Sequence, residues 1–275
     1  HDKVELYCLS LSGEKLWSKV VGDYNPRFKF GYGTSPIVYK DKVIVSNENQ
    51  TDGGLYAFNT ETGEPGWKID RGTNTSWSVP VVATVGGEKQ LLISGGKSVS
   101  SYNPEDGKSI WTTPAIWEVT CGTMVWEDDL VFASGGWPDQ QTLAIDSKTS
   151  MVVWSNPIKC YEQSMLVVDG YVYGVDENGI AHCWRAEDGQ ETWKGRIGKG
   201  KFKTSASPVL ADGQIYIPGE NGKVVVLKAN PEAMEKVATN ELGTAVFASF
   251  AVCGNQIFAR YSQGAEEFLV CIGKK

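Results

Sequence analysis

Two histidines, His1 and His182, are the whole supply of imidazole bases in this chain, so general-base chemistry near neutral pH has few places to sit. His1 stands at the chain end, and His182 falls within the strand-like run Ala181-His182-Cys183-Trp184, where a half-buried surface histidine is the expected reading. Six cysteines at positions 8, 121, 160, 183, 253 and 271 show neither adjacent pairs nor the Cys-x-x-Cys spacing of a metal cluster or covalent haem. Gly31-Tyr32-Gly33 and Gly198-Lys199-Gly200 lack the strand–loop–helix setting of a phosphate cradle and read as loops. A hydrolytic triad, a zinc site and a nucleotide cradle therefore have no basis in the sequence.

The remaining candidate chemistry is adhesive. Aromatic and basic side chains alternate in Arg27-Phe28-Lys29-Phe30, and isolated rings stand at Trp77 and Trp117. The stretch Lys194 to Lys203 holds five bases and no acid, and ends in Lys199-Gly200-Lys201-Phe202-Lys203. With Tyr24, Tyr32, Arg71, Tyr161 and Phe247, these residues have the composition of a binding surface. What positions them is a repeat.

Five times an apolar run breaks at a small polar turn and resumes with tryptophan, at Trp17, Trp67, Trp111, Trp154 and Trp193. These tryptophans lie 50, 44, 43 and 39 residues apart, the period of propeller blades. Upstream of each lies a second pattern, in which a strand starting near Ser35, Ser78, Thr123, Ser164, Ser207 or Ser249 reaches a turn and returns as an alternating run such as Ile215-Tyr216-Ile217. Each unit thus holds four strands, A and B from the hairpin, C and D around the tryptophan. Such a sheet cannot bury both faces alone, but sheets stacked around an axis can.

The expected fold is all-β, a β-propeller of about seven four-stranded antiparallel blades, range six to eight. Residues 1–275 read as one propeller domain, with a partial blade at 1–20, full blades at 34–69, 78–113, 122–156, 163–195 and 205–239, and a partial blade at 247–273. The sixth copy keeps its strand at Val224 to Lys228 but lacks the turn glycine and tryptophan, with Pro231 to Lys236 hinting at a helical turn instead. No apolar run is long enough to span a membrane. Since the chain starts inside a C strand, an N-terminally truncated ring with upstream blades missing is expected. Lys15-Leu16-Trp17-Ser18 is then a candidate to latch onto the last strand, Phe268 to Cys271, in competition with residues 3–9.

Sorting charge by loop separates two faces. The A-to-B and C-to-D turns hold 18 acids against six lysines, a balance of −12 against −7 for the chain. The D-to-A and B-to-C loops, which carry Arg27, Phe28, Lys29, Phe30, Trp77, Trp117, Lys199, Lys201, Phe202 and Lys203, are then near neutral or basic. An acidic protein or acidic glycan is the ligand this balance favours. Nucleic acid is disfavoured by the net charge.

Gly54-Leu55-Tyr56-Ala57-Phe58-Asn59-Thr60-Glu61-Thr62-Gly63 followed by Trp67 resembles the tryptophan-docking repeat of quinoprotein-type propellers, roughly Tyr-Ala-Leu-Asp-x-x-Thr-Gly-x-x-x-Trp. That family includes the pyrroloquinoline quinone dehydrogenases and a non-enzymatic scaffold lipoprotein of the bacterial outer-membrane barrel-assembly machinery. The resemblance implies that each repeat tryptophan packs on the next blade near the Ala position, which Cys8, Cys183 and, by the same alignment, Cys271 occupy here. Cysteines replacing Ala pack as small free thiols; Cys121 and Cys160, in neighbouring connections, leave room for one bridge. A dehydrogenase needs convergent Ca²⁺ ligands, a carboxylate base and an aromatic floor for the quinone, and its known alcohol-oxidising members add adjacent cysteines. The expected function is therefore a non-catalytic binding propeller without cofactor, and the resemblance implies a place in the bacterial cell envelope, periplasmic or secreted. The alternatives are a quinoprotein dehydrogenase with pyrroloquinoline quinone and Ca²⁺, or a quinone-binding remnant of one, and a sensor domain of a longer signalling chain.

Overall fold

The computed structural model describes residues 2–25, 28, 30–200 and 202–273, and they form seven antiparallel sheets. The first sheet pairs β1 (Asp2–Leu9) with β2 (Lys15–Tyr24). Next comes β3 (Ile37–Tyr39), β4 (Lys42–Asn47), β5 (Gly53–Asn59) and β6 (Pro65–Gly72). The third sheet holds β7 (Val81–Val85), β8 (Glu88–Gly95), β9 (Ser98–Tyr102) and β10 (Ser109–Pro114). The fourth holds β11 (Val125–Glu127), β12 (Leu130–Gly135), β13 (Gln141–Asp146) and β14 (Val152–Asn156). The fifth holds β15 (Leu166–Val168), β16 (Tyr171–Val175), β17 (Ile180–Arg185) and β18 (Glu191–Arg196). The sixth holds β19 (Val209–Ala211), β20 (Gln214–Pro218), β21 (Lys223–Lys228) and β22 (Lys236–Glu241), and the last β23 (Ala251–Cys253), β24 (Gln256–Gln263) and β25 (Glu266–Gly273). Every strand pairs with its chain neighbour in up-and-down order, and the whole is an all-β propeller. No helix occurs among the described residues, and Pro231 to Ala233 form bends where the sequence hinted at a helical turn.

Alternation along the strands sends side chains to two different interfaces. On β12, Val131 and Ala133 pack with Ala83, Val85 and Leu92 of the preceding blade, whereas Phe132 packs with Val172 and Trp184 of the following one. An internal blade such as this one is therefore buried on both faces because it has neighbours on both sides. The first strands of adjacent blades approach one another, β7 beside β11 and β11 beside β15. A belt of serines stitches their starts together. The backbone N–H of Thr123 donates to Ser164 Oγ at 2.9 Å, that of Ser164 to Ser207 Oγ at 3.0 Å, and that of Ser207 to Ser249 Oγ at 2.9 Å.

At the outer rim the repeat tryptophans make the corresponding link. Indole Nε1 of Trp17 donates to the Thr60 carbonyl at 3.1 Å, Trp67 to Pro104 at 3.2 Å, Trp154 to Ala186 at 2.8 Å and Trp193 to Asn230 at 2.8 Å, each acceptor lying in the next blade's C-to-D turn. The turn glycine makes room for the ring: a Cβ on Gly189 (φ +71°) would meet Trp154 Cδ2 at 2.5 Å, and one on Gly63 (φ +68°) would meet Trp17 at 2.7 Å. Trp111 departs from the pattern. The next turn has Ser150 (φ 57°) in the glycine position, and the Trp111 indole turns back to Gln90 Oε1 of its own blade at 3.0 Å. Trp111 and Trp154 are buried, and Trp17, Trp67 and Trp193 are half-buried against their interface clusters.

The terminal sheets differ from the sequence expectation. β2 is paired along its length by β1, from Asp2 opposite Tyr24 to Leu9 opposite Lys15, so the edge that would latch β25 is already filled and the last sheet has three strands. Leu9, Leu16 and Val20 at one end and Phe268, Leu269 and Ile272 at the other are exposed. Cys271 is exposed with them rather than packed as a core thiol, and all six cysteines are free, so Cys121 and Cys160 form no bridge. Among the described residues no helix is long and apolar enough to cross a membrane.

His182 also corrects its reading as a surface residue. It is 2% exposed, stacks on Trp184 with ring centroids 5.0 Å apart, and its Nδ1 lies 2.8 Å from Glu191 Oε1. With Glu191 ionised, Nδ1 is the donor, and Nε2 faces Asp176 at 3.7 Å without a hydrogen bond.

Two outcomes follow. Replacing Trp154 by Ala removes a buried ring and its cross-blade hydrogen bond, and urea unfolding is expected to show a loss of about 3–5 kcal/mol. Burial works against ionisation of Glu191, but hydrogen bonds from His182 and Lys194 outweigh it and hold the carboxyl below the ordinary value of 4.5. The stabilisation from this ionised group is thus present above pH 4.5 and lost as pH falls through its lower folded value. The stability gap between the native chain and Glu191→Gln is expected to be about 1–2 kcal/mol at neutral pH and to shrink below pH 4.5 in denaturation curves.

Candidate functional site

One end of the ring gathers the D-to-A and B-to-C loops, and there the structure forms an aromatic cavity of about 320 Å³ lined by Phe28, Phe30, Gly31, Trp77, Val119, Cys121, Trp137, Tyr161 and Glu162. Each ring is set by its own neighbours. Trp77 Nε1 donates to both the Tyr24 hydroxyl and the Gly31 carbonyl at 3.1 Å, and Tyr24 itself donates to the Gly31 carbonyl at 3.0 Å. Phe30 meets Trp77 edge-on with centroids 5.8 Å apart, and Phe28 meets Trp137 edge-on at 5.6 Å. Tyr161 lies over a buried cation, with Lys159 Nζ 4.2 Å from its ring centroid and 3.5 Å from Glu177 Oε2.

A second cavity, of about 330 Å³, shares Tyr161 and Glu162 with the first and adds Glu177, Asn178, Lys203, Thr204 and Glu220. Its carboxylates are partly engaged: Glu177 accepts from Gln140 Nε2 at 3.1 Å, and Glu220 from the Ser205 hydroxyl at 2.9 Å. The described lining holds three glutamates and one lysine.

The sequence-derived face is therefore redistributed. Phe28, Phe30 and Trp77 line the aromatic cavity and Lys203 lines the polar one. Trp117, 39% exposed, stands beside Gly136 outside both linings, and Lys199 is exposed away from them. Phe202 is a correction: it is 2% exposed and packs on Gly179, Gly198 and Gly219, because the glycines leave a slot that its ring fills. Arg71 is another. Its guanidinium is buried, pairs with Glu48, and donates to the Tyr102 hydroxyl and the Gly95 carbonyl at 3.1 Å, a structural clamp between blades. Arg27, Lys29 and Lys201 lie outside the described residues. Trp137, Glu162, Glu177 and Glu220 were missed; Trp137 had a signal, a tryptophan off the repeat register in the turn Gly135-Gly136-Trp137-Pro138.

Burial and the nearby Glu162 carboxylate, opposed by Lys159, push the Cys121 thiol up to about 11, so it is protonated at neutral pH and a poor nucleophile. Burial raises Cys160 to about 12. A quinone with a divalent cation would find aromatic faces here, but Glu162 is the one carboxylate among the described lining residues, and no group of three or more potential ligands gathers anywhere among the described residues. The residues present do not fit that pair.

Fold and mouth together define a blade-repeat propeller with an aromatic, carboxylate-edged cavity at one end of its ring. The family model described as "Outer membrane protein assembly factor BamB" matches residues 1–195, and the chain belongs to that family. Among solved structures, BamB from Moraxella catarrhalis superposes with a TM-score of 0.74 at 16% identity, covering 93% of this chain and 76% of that one. A europium-containing methanol dehydrogenase gives 0.64 at 13% identity over 93% of this chain and 71% of its own. The quinohemoprotein alcohol dehydrogenase from Comamonas testosteroni gives 0.60 at 15% identity over 81% of this chain and 44% of its own. At these identities the likenesses show the fold alone. A comparison with curated proteins returned no match.

Proposed function

We propose that this chain is a non-catalytic scaffold of the bacterial cell envelope that recruits a protein partner through the loop face. The observation that supports it is the convergence of Phe28, Phe30, Trp77, Trp137 and Tyr161 from four different connections onto one cavity. Such clustered rings, part exposed and part pinned by hydrogen bonds, are how binding energy is concentrated in a few anchors. Membership of the BamB family supports a periplasm-facing location and an assembly role rather than turnover. The acidic ligand favoured by the sequence charge balance, protein or glycan, is not the one this reading adopts, because the described mouth carries Glu162, Glu177 and Glu220.

The test is site-specific photocross-linking in envelope preparations. A cross-linker at Phe30 or Trp137 is expected to trap a discrete protein partner, and one at Glu187, on the opposite face, is not. Trp137→Ala is expected to weaken capture by at least about tenfold. Trapping from Glu187 alone would refute the loop-face assignment, a trapped glycan would replace the protein partner, and saturable dye reduction with pyrroloquinoline quinone and Ca²⁺ would refute the non-catalytic reading.

A further inference from the structure

We infer that the mouth reads an arginine-bearing segment of the partner, with the guanidinium stacked on the rings of the aromatic cavity and paired with Glu162. This rests on the scaffold reading above and names the chemistry the site selects. Two independent features favour a cation. Aromatic faces present the negative side of their quadrupole; Trp77 and Tyr161 line the cavity, and Tyr161 already accepts the Lys159 cation on its ring. Glu162 stands where the two cavities join, is exposed, and makes no ion pair with any described residue. Among the described residues, the buried cation Lys159 is already held under Tyr161 and beside Glu177.

Arginine fits this pairing better than lysine. Its planar guanidinium stacks on an indole while its edge N–H groups bond a carboxylate bidentately, whereas an ammonium is strongly hydrated and has no flat face. The cavity of about 320 Å³ also leaves room for an apolar neighbour of the arginine against Phe28 and Phe30. Chain continuing from such a residue would run into the polar cavity, past Glu177 and Glu220.

The experiment is fluorescence anisotropy with a labelled, capped peptide carrying one arginine beside one leucine in a glycine–serine background. Three further peptides replace the arginine by lysine, by citrulline or by glutamate, and free N-acetyl-argininamide serves as competitor. Binding is expected in the order arginine, lysine, citrulline, with no binding of the glutamate peptide and progressive weakening with salt. Glu162→Gln keeps the shape and removes the charge, and is expected to weaken the arginine peptide about tenfold, as is Trp137→Ala, whereas Glu187→Lys on the opposite face leaves it unchanged. Citrulline binding as well as arginine, insensitivity to Glu162→Gln, preference for the glutamate peptide, or no saturable binding would each overturn the inference. Full competition by N-acetyl-argininamide at the peptide's own affinity would also overturn it, by making the ligand a small molecule rather than a protein segment. Cross-linking from Phe30 or Trp137 that persists after such a result leaves the scaffold reading standing, so the two fail separately.

Discussion

The architecture depends on a single repeated contact, the indole N–H of one blade donating to a turn carbonyl of the next. Trp17, Trp67, Trp154 and Trp193 each reach into the following C-to-D turn, and for the first three the turn glycine makes room for the ring. The contact couples a specific donor to a large buried apolar surface, so it fixes both the spacing and the angle between sheets whose interfaces are otherwise largely aliphatic. On the axial side the serine belt from Thr123 to Ser249 does the same with backbone donors. The fourth, fifth and sixth blades are thus clamped at both their inner and outer edges.

Clamping frees the loops at one end to vary without loosening the ring. The Arg71–Glu48 pair, with bonds to Tyr102 and Gly95, joins two blades. Trp77 and Tyr24 share the Gly31 carbonyl, so the loop after β2 is tied to the loop after β6. The aromatic cavity is thus assembled from segments far apart in sequence but held by separate blades, which is how a propeller builds a concave site from short connections.

Sequence reading succeeded where the signal was local and periodic. The tryptophan, the turn glycine and the strand between them lie within about a dozen residues, and their repetition marks each blade and its order. Nearly everything missed was non-local. Phe202 reads as a loop aromatic, yet it fills a slot made by Gly179, Gly198 and Gly219 of three different turns. Arg71 reads as a surface base, but its partner Glu48 comes from another loop and both side chains are buried. His182 became a core residue because Glu191 and Asp176 meet it from two sides. The glutamates of the polar cavity were illegible for a related reason: a sum over whole loops does not single out the side chains that line a cavity. The expected latch failed because β1 already pairs with β2.

Hydrogen exchange of the indole N–H groups, resolved one tryptophan at a time by NMR, tests most directly the claim that cross-blade docking sets the frame. The Nε1–H signals of Trp17, Trp67, Trp154 and Trp193 are expected to exchange far more slowly than that of the exposed Trp117, and replacing Gly189 by valine is expected to accelerate Trp154 selectively. Exchange of the four docked indoles at the rate of Trp117, or a Gly189→Val chain in which Trp154 remains protected, would contradict the account.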